Sequence, residues 1–463
     1  MRAFKIKLSI VAIPLFMIGV GLAIFPLSVE AQDFTGKLAG LLTKHERVIA
    51  AKEDLNASKR ALDEAVGDWL PTIDLTANLG TEVQKKPSAE DTNKGIRNVE
   101  FAASQLLYDF GETGAGIDTA KLTLQQSRLS LESTRQGLIL EASQAYINLL
   151  TAIQSLGFAK QSADNIRKQT GMEQSRVERG SGFSSDVLQV KAQLAGAQAN
   201  LVRSQGAVRN AMDRYRNVFR EQNIDVKKLK KPKVPYGFLP KDLKSAIETA
   251  KRKSLSLKLA KISVQTAKQD IRTKRAAFAP KLEAKGDYKW KHNDGGVMGK
   301  KWVTIGKVEM TWPLLTGGKD VAGYRKSFNS LSAAEKRYTD ARHAAVEQVR
   351  NSWQNLETSR LNAGFLRNQA NISGEFLDLA RKERKLGTRT LLDVLAGETS
   401  FITSISAAVA AEAARDLAVY NLLFAMGELS LDNVELEQKT SAKEKPSAKP
   451  PAKSGARRGL APQ

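Results

Sequence analysis

Gly387-Thr388-Arg389-Thr390-Leu391-Leu392-Asp393-Val394-Leu395 decides how this chain is read. Helix-forming residues run from about Lys319 to Leu386 before it and from about Leu391 to Glu428 after it. A glycine followed by two β-branched threonines stops a helix cheaply, and the apolar run then restarts one. Taken alone, that is an ordinary helical hairpin. An upstream echo changes its meaning. Gly180-Ser181-Gly182-Phe183-Ser184-Ser185-Asp186-Val187-Leu188 keeps the same spacing from glycine to Asp-Val-Leu, again between two long helical runs. A hairpin duplicated with its tip implies a repeated architecture.

Working outward, each half shows the same series. Phe34 to Asp68 reads as helix, with Leu38, Leu41, Leu42, Val48, Ile49, Leu55, Leu62 and Val66 three and four residues apart. Trp69-Leu70-Pro71 ends it, because the residue before proline avoids the α region. The period then becomes two. Ile73, Leu75, Ala77 and Leu79 alternate with polar residues, a polar loop is expected at about Gln84 to Arg97, and Val99, Phe101, Ala103 and Leu107 alternate again. Helix returns from about Thr113 to Arg179, a length of ~100 Å at 1.5 Å per residue. Its apolar spacing drifts as in coiled coils. After the Gly180 tip, helix is expected from about Asp186 to Arg220.

Residues 221–240 form a basic connector broken by prolines. The second half follows: helix from Leu243 to Phe278, a strand from Lys281 to Trp290 with Leu282, Ala284, Gly286, Tyr288 and Trp290 on one face, and a glycine-rich loop from His292 to Lys301. A strand from Trp302 to Trp312 carries Val308, Met310 and Trp312 on one face, and the hairpin around Gly387 closes the half. The expected organisation is a signal segment at 1–31, a first repeat at 32–220, the connector at 221–240, a second repeat at 241–430, and a Lys/Pro/Ala-rich tail at 431–463 expected to be disordered.

The first 31 residues fit a secretory signal: Lys5 and Lys7 in a basic start, an apolar Leu8 to Phe25, and Val29-Glu30-Ala31 as cleavage site. The mature chain is then expected to begin at Gln32. No later stretch reads as a spanning helix, so any membrane contact falls to the strands. There is no cysteine, hence no disulfide and no thiolate metal site. The three histidines are scattered, and no catalytic, metal or cofactor constellation emerges. Gly317-Gly318-Lys319 is not a phosphate loop, since Pro313 stands where the first glycine would and Asp320 replaces Ser/Thr. The net charge of +23 suits nucleic-acid binding, but the basic residues are spread along helices and in the tail, which fits a solvated surface better.

Four amphipathic strands cannot close a membrane barrel, for which eight is the practical minimum. An open edge in lipid leaves N–H and C=O groups unpaired at several kcal/mol each. The strands therefore demand oligomerisation or a place outside the membrane. Tyr108, Trp290, Trp302 and Trp312 cluster at strand ends, where a barrel carries its aromatic girdles; core aromatics are the plainer reading.

The repeat, the Leu70-Pro71 and Ala279-Pro280 strand starts, Pro313-Leu314-Leu315-Thr316-Gly317-Gly318 and above all Gly387-Thr388-Arg389-Thr390 with Asp393-Val394-Leu395 resemble the TolC family of outer-membrane efflux and secretion ducts. The resemblance covers about residues 33–430. It implies a mainly α fold with a pair of β-hairpins. Three chains would form a helical barrel and share a 12-stranded transmembrane β-barrel, with the tunnel open outward. It also implies an inner end closed by the helical tips. At Gly180, Gly182, Gly387 and Thr388 a periplasmic adaptor would dock, joining the duct to an inner-membrane ABC or proton-driven transporter.

By motif position the resemblance assigns the gate to Arg389 and Asp186, on neighbouring hairpins, and a lumen cation ring to Asp393. Two departures stand out: Ala396 replaces a second lumen aspartate, and Arg384 replaces a tyrosine three residues before the glycine. Plainer roles compete. Asp186 and Asp393 suit helix N-termini, and Arg389 suits a solvated surface. A periplasmic coiled-coil adaptor or scaffold explains the hairpins but not the four matched strands. The expected function is a non-enzymatic exit duct in the outer membrane, reaching into the periplasm, in contact with lipid and not with nucleic acid.

Overall fold

In a computed structural model, residues 34–434 are described apart from Ser88 and Gly182. The expected signal segment, residues 435–463 of the expected tail and the tip residue Gly182 lie outside the described residues; residues 431–434, expected to be disordered, are helical, with Val434 buried in the core. The elements run α1 (Phe34–Lys44), α2 (Glu46–Gly67), β1 (Thr72–Lys86), β2 (Ala89–Tyr108), α3 (Glu112–Glu178) and α4 (Ser184–Phe219). After the connector come α5 (Leu243–Lys253), α6 (Leu255–Ala276), β3 (Lys281–His292), β4 (Lys300–Thr311), α7 (Lys319–Lys385) and α8 (Leu391–Met426). The halves match in length as well as order. α3 and α7 each have 67 residues, and α4 and α8 each have 36.

Three further expectations change. The opening helix of each half is two helices, parted at His45 and at Ser254. His45 Nδ1 accepts the Arg47 N–H at 3.2 Å and so caps α2. Both residues are buried, so packing against the long helices selects the bend. The polar stretch expected as a loop from Gln84 to Arg97 is mostly strand, since β1 runs to Lys86 and β2 begins at Ala89: Glu82 pairs with Lys94 and Gln84 with Thr92. Its backbone groups find partners in the ladder, so apolar alternation is not needed there. Finally, α8 is long and apolar enough to cross a membrane by length and composition. Half of its most apolar window is buried, as in a core helix.

The four strands form one antiparallel sheet in the order β1-β2-β3-β4, leaving β1 and β4 as edges. Register sorts the faces. Leu75 sits opposite Phe101, Phe101 opposite Tyr288, Trp290 opposite Trp302, and Leu282 opposite Met310. All belong to one apolar face whose large side chains stay exposed: Ile73, Leu75, Leu79, Val308 and Met310 among them. The opposite face carries Asp74, Glu100, Glu283, Lys285, Lys289, Lys307 and Glu309. Its charges pair with one another, as Lys289 does with Glu100 at 2.7 Å.

Next to the sheet, α2, α3, α6 and α7 lie side by side in that order; toward the tips the order is α4, α3, α8, α7. The long helices α3 and α7 thus belong to both tiers. The main core lies at mid-length, where α1, α5 and the connector wrap the helices. Phe34, Leu38, Leu138, Leu149, Tyr215, Val234, Tyr420, Leu423 and Leu429 meet there. Each fully buried Leu or Phe contributes roughly 1.5–3 kcal/mol. The core pins the middle of each hairpin and leaves the tips held by a few local contacts.

Candidate functional site

The two tips are built alike, and the reason is local. Gly180 and Gly387 have φ of +77° and +82°, a conformation costing ~1–2 kcal/mol for any residue with a Cβ. At the first tip the Gly180 N–H donates to Val177 O and the Ser181 N–H to Arg176 O. At the second the Gly387 N–H donates to Arg384 O and the Thr388 N–H to Glu383 O. These are paired Schellman closures, which satisfy carbonyls that a helix end leaves open. Thr390 then caps α8, its Oγ1 accepting the Asp393 N–H at 3.2 Å. Phe183, its counterpart, makes no side-chain cap and is exposed.

Asp186 and Asp393 therefore occupy the first turns of α4 and α8, as the repeat requires. The Asp393 carboxyl is held below its usual range, first by the Thr390 hydroxyl and then by Arg389. Arg389 is engaged within its own hairpin. Its Nη1 meets Glu383 Oε2 at 2.9 Å, its Nε lies 3.5 Å from Asp393 Oδ2, and its guanidinium lies 5.2 Å from the Phe376 ring centroid. Within the chain, Asp186 is not among its partners, and a bond between neighbouring copies would lie between chains. Asp393 also borders a shallow groove of about 380 Å³ with Ile372, Phe376, Ala396 and Gly397. No described group of acidic or histidine side chains could hold a metal ion.

Contacts that the sequence reading did not foresee join the hairpins. Arg384 Nη2 meets Glu173 Oε1 at 2.5 Å, tying α7 to α3. Arg176 Nη1 meets both oxygens of the same carboxylate, at 3.0 and 3.2 Å. The Glu173 side chain is only 6% exposed. Deeper along the seam, the buried Glu398 of α8 pairs with Arg381 of α7 and accepts from Asn165 Nδ2 of α3 at 2.8 Å. Beside these bonds Ile166, Val190, Leu391 and Leu395 form a small apolar cluster. The sole signal in the sequence was Arg384 itself, standing where a tyrosine was expected.

The aromatics divide between the two ends of the strands. Trp290 and Trp302 face each other across β3 and β4. Tyr108 lies against Phe110, with ring centroids 4.7 Å apart, and Trp312 Nε1 donates to Phe278 O where the helices begin. Between Trp302 and Trp312 the strand rises roughly 33 Å, or ~25 Å along a barrel axis at a tilt of ~40°.

Comparison with known proteins gives one consistent family. The model of the family described as outer membrane efflux protein matches residues 40–217 and 246–428. Outer membrane protein TolC of Vibrio cholerae is 27% identical over 358 residues, covering 75% of this chain and 79% of the relative. Outer membrane efflux protein BepC of Brucella suis is 23% identical over 403 residues, covering 86% and 87%. A membrane protein from Pseudomonas aeruginosa superposes with a TM-score of 0.76 at 18% identity, over 89% of this chain and 99% of that one. With most of its length matched, this chain belongs to the outer membrane efflux protein family.

Proposed function

We propose that three copies of this chain close edge to edge into one continuous duct, a twelve-stranded β-barrel in the outer membrane carried on a helical barrel in the periplasm. The chain is an outer-membrane exit duct for efflux or secretion. One observation carries the assembly. The sheet has an exposed apolar face and two unpaired edges, β1 and β4. Lipid accepts the face but not the edges, so each edge needs a strand from another copy. The helices support the same closure. α7 is a free edge in both tiers and carries exposed Leu361, Phe365, Ile372 and Leu379; α4, on the opposite edge near the tips, exposes Leu188 and Val202.

In this assembly the two aromatic clusters become the girdles of a ~25 Å apolar band. The tips around Gly180, Gly182, Gly387 and Thr388 form the inner end, where a periplasmic adaptor docks and links the duct to an ABC or proton-driven transporter. Arg389 and Asp186 meet across copies and hold that end closed, and three Asp393 carboxylates ring the lumen. The protein performs no chemical step; it supplies a passage. Crosslinking and native mass measurement on detergent-extracted outer membranes should give a trimer. A soluble monomer would refute the duct.

A further inference from the structure

The connection between β3 and β4, residues 293–299, folds back over the longer β1–β2 hairpin. Asp294 Oδ1 accepts from Asn98 Nδ2 at 3.0 Å. The Gly295 N–H donates to Glu82 Oε2 at 3.0 Å, and Asn293 Nδ2 donates to Gly95 O at 3.2 Å. Gly296 lies so close that an added Cβ would come within 2.6 Å of Gln84 Oε1 and 3.1 Å of Thr92 Oγ1. The fold-back depends on backbone that most residues avoid: Asn293, Gly295, Gly296 and Gly299 all have positive φ. It is also internally braced, the Asn293 N–H donating to Gly299 O and the Gly299 N–H to Asn293 Oδ1.

The side chains that hold the loop share one face. Glu82, Gln84, Thr92 and Asn98 alternate with the apolar residues, so all four belong to the polar face of the sheet. At the loop's apex stand Val297 and Met298, 68% and 70% exposed, an apolar pair in a polar surrounding. The strap is also imperfectly satisfied: Thr92 Oγ1 and Asn98 Oδ1 are buried without a partner.

We propose that residues 293–299 form an inward-folded collar at the outer mouth of the duct, with Val297 and Met298 as an apolar rim that limits the size of what passes. The proposal rests on the duct reading, since only with the apolar face in lipid is the polar face the lumen. Three loops on the lumen side then narrow the exit, and an apolar constriction also resists wetting. The outer end would not be simply open, as the resemblance implied.

One-sided polymer exclusion in planar bilayers tests this with the full chain. Polyethylene glycols of graded size are added to the outer side, and the largest that still lowers the conductance is recorded. Glu82→Ala with Asn98→Ala, which removes two of the three bonds holding the loop to the hairpin, should shift the outer-side limit to larger polymers and leave the inner-side limit unchanged. A second variant, with residues 294–298 replaced by Asn-Gly, should shift it at least as far. Val297→Ser with Met298→Ser should raise the conductance without moving the inner-side limit. Conducting trimers whose outer-side limit is the same in the wild type and both loop variants would overturn the collar alone. A wild type that forms no conducting trimer would overturn the duct and the collar together.

Discussion

Replacing Arg384 with leucine should loosen the inner end more than any single tip substitution. In the native seam the nearly buried Glu173 carboxylate has two cationic partners, Arg384 from α7 and Arg176 from its own helix. Breaking a buried ion pair costs about 3–5 kcal/mol when the remaining charge is stranded. Here Arg176 stays on both oxygens and Arg384 is itself 28% exposed, so the loss is smaller. A charge-assisted hydrogen bond of roughly 1.5–3 kcal/mol is the better guide, and about 2 kcal/mol per protomer follows. That is roughly a 30-fold shift toward parting of α3 and α7 in each copy, and about 6 kcal/mol if three copies open together. Single-channel conductance and open time of the reconstituted trimer read the effect, and both should rise. A double-mutant cycle isolates the pair: on a Glu173→Gln background, Arg384→Leu should add little, because its partner charge is gone. Wild-type conductance in Arg384→Leu, or effects of the two substitutions that simply add, would refute the link.

Arg389→Ser and Asp186→Asn should each raise conductance modestly, consistent with ~0.2–1 kcal/mol for an exposed pair, and the double variant should not sum them; no change in either removes them from the gate. Asp393→Asn should weaken block by trivalent cations added from the inner side. Carboxylates assumed ~6 Å apart repel by ~3 kcal/mol at an effective dielectric of ~20, so a bound cation relieves real strain; equal block in wild type and variant would sink the ring. Thermal stability should fall as the pH is lowered below about 6.5. His45 is kept neutral in the fold, its pKa lowered by burial first and then by Arg47 and Arg220. The unfolded chain takes up that proton near its ordinary value and the folded chain only at lower pH, so acid favours unfolding across that window. His45→Asn, which keeps a capping side chain, should flatten the fall between pH 7 and 5, and an unaltered slope would clear His45 of the effect.

The sequence alone determined whatever depends on short range. The tips were legible because a left-handed glycine and a capping threonine act within one turn. The long helices and the strands were legible because periods near 3.6 and 2 repeat along the chain. Even the faces of the sheet could be read, since successive side chains of a strand point to opposite faces. What the tertiary structure decided depends on neighbours distant in sequence. His45 and Ser254 part their helices where both are buried; serine is a ready N-cap, but the helical period continuing on either side hid the break. Most of the polar stretch between Gln84 and Arg97 is strand because a partner strand satisfies its backbone, so its polar composition misled. Glu173 and Arg384 stand 211 residues apart, and each reads by itself as one more solvated charge. Only the placing of α3, α8 and α7 side by side removes Glu173 from water and brings an arginine of α7 to it as partner.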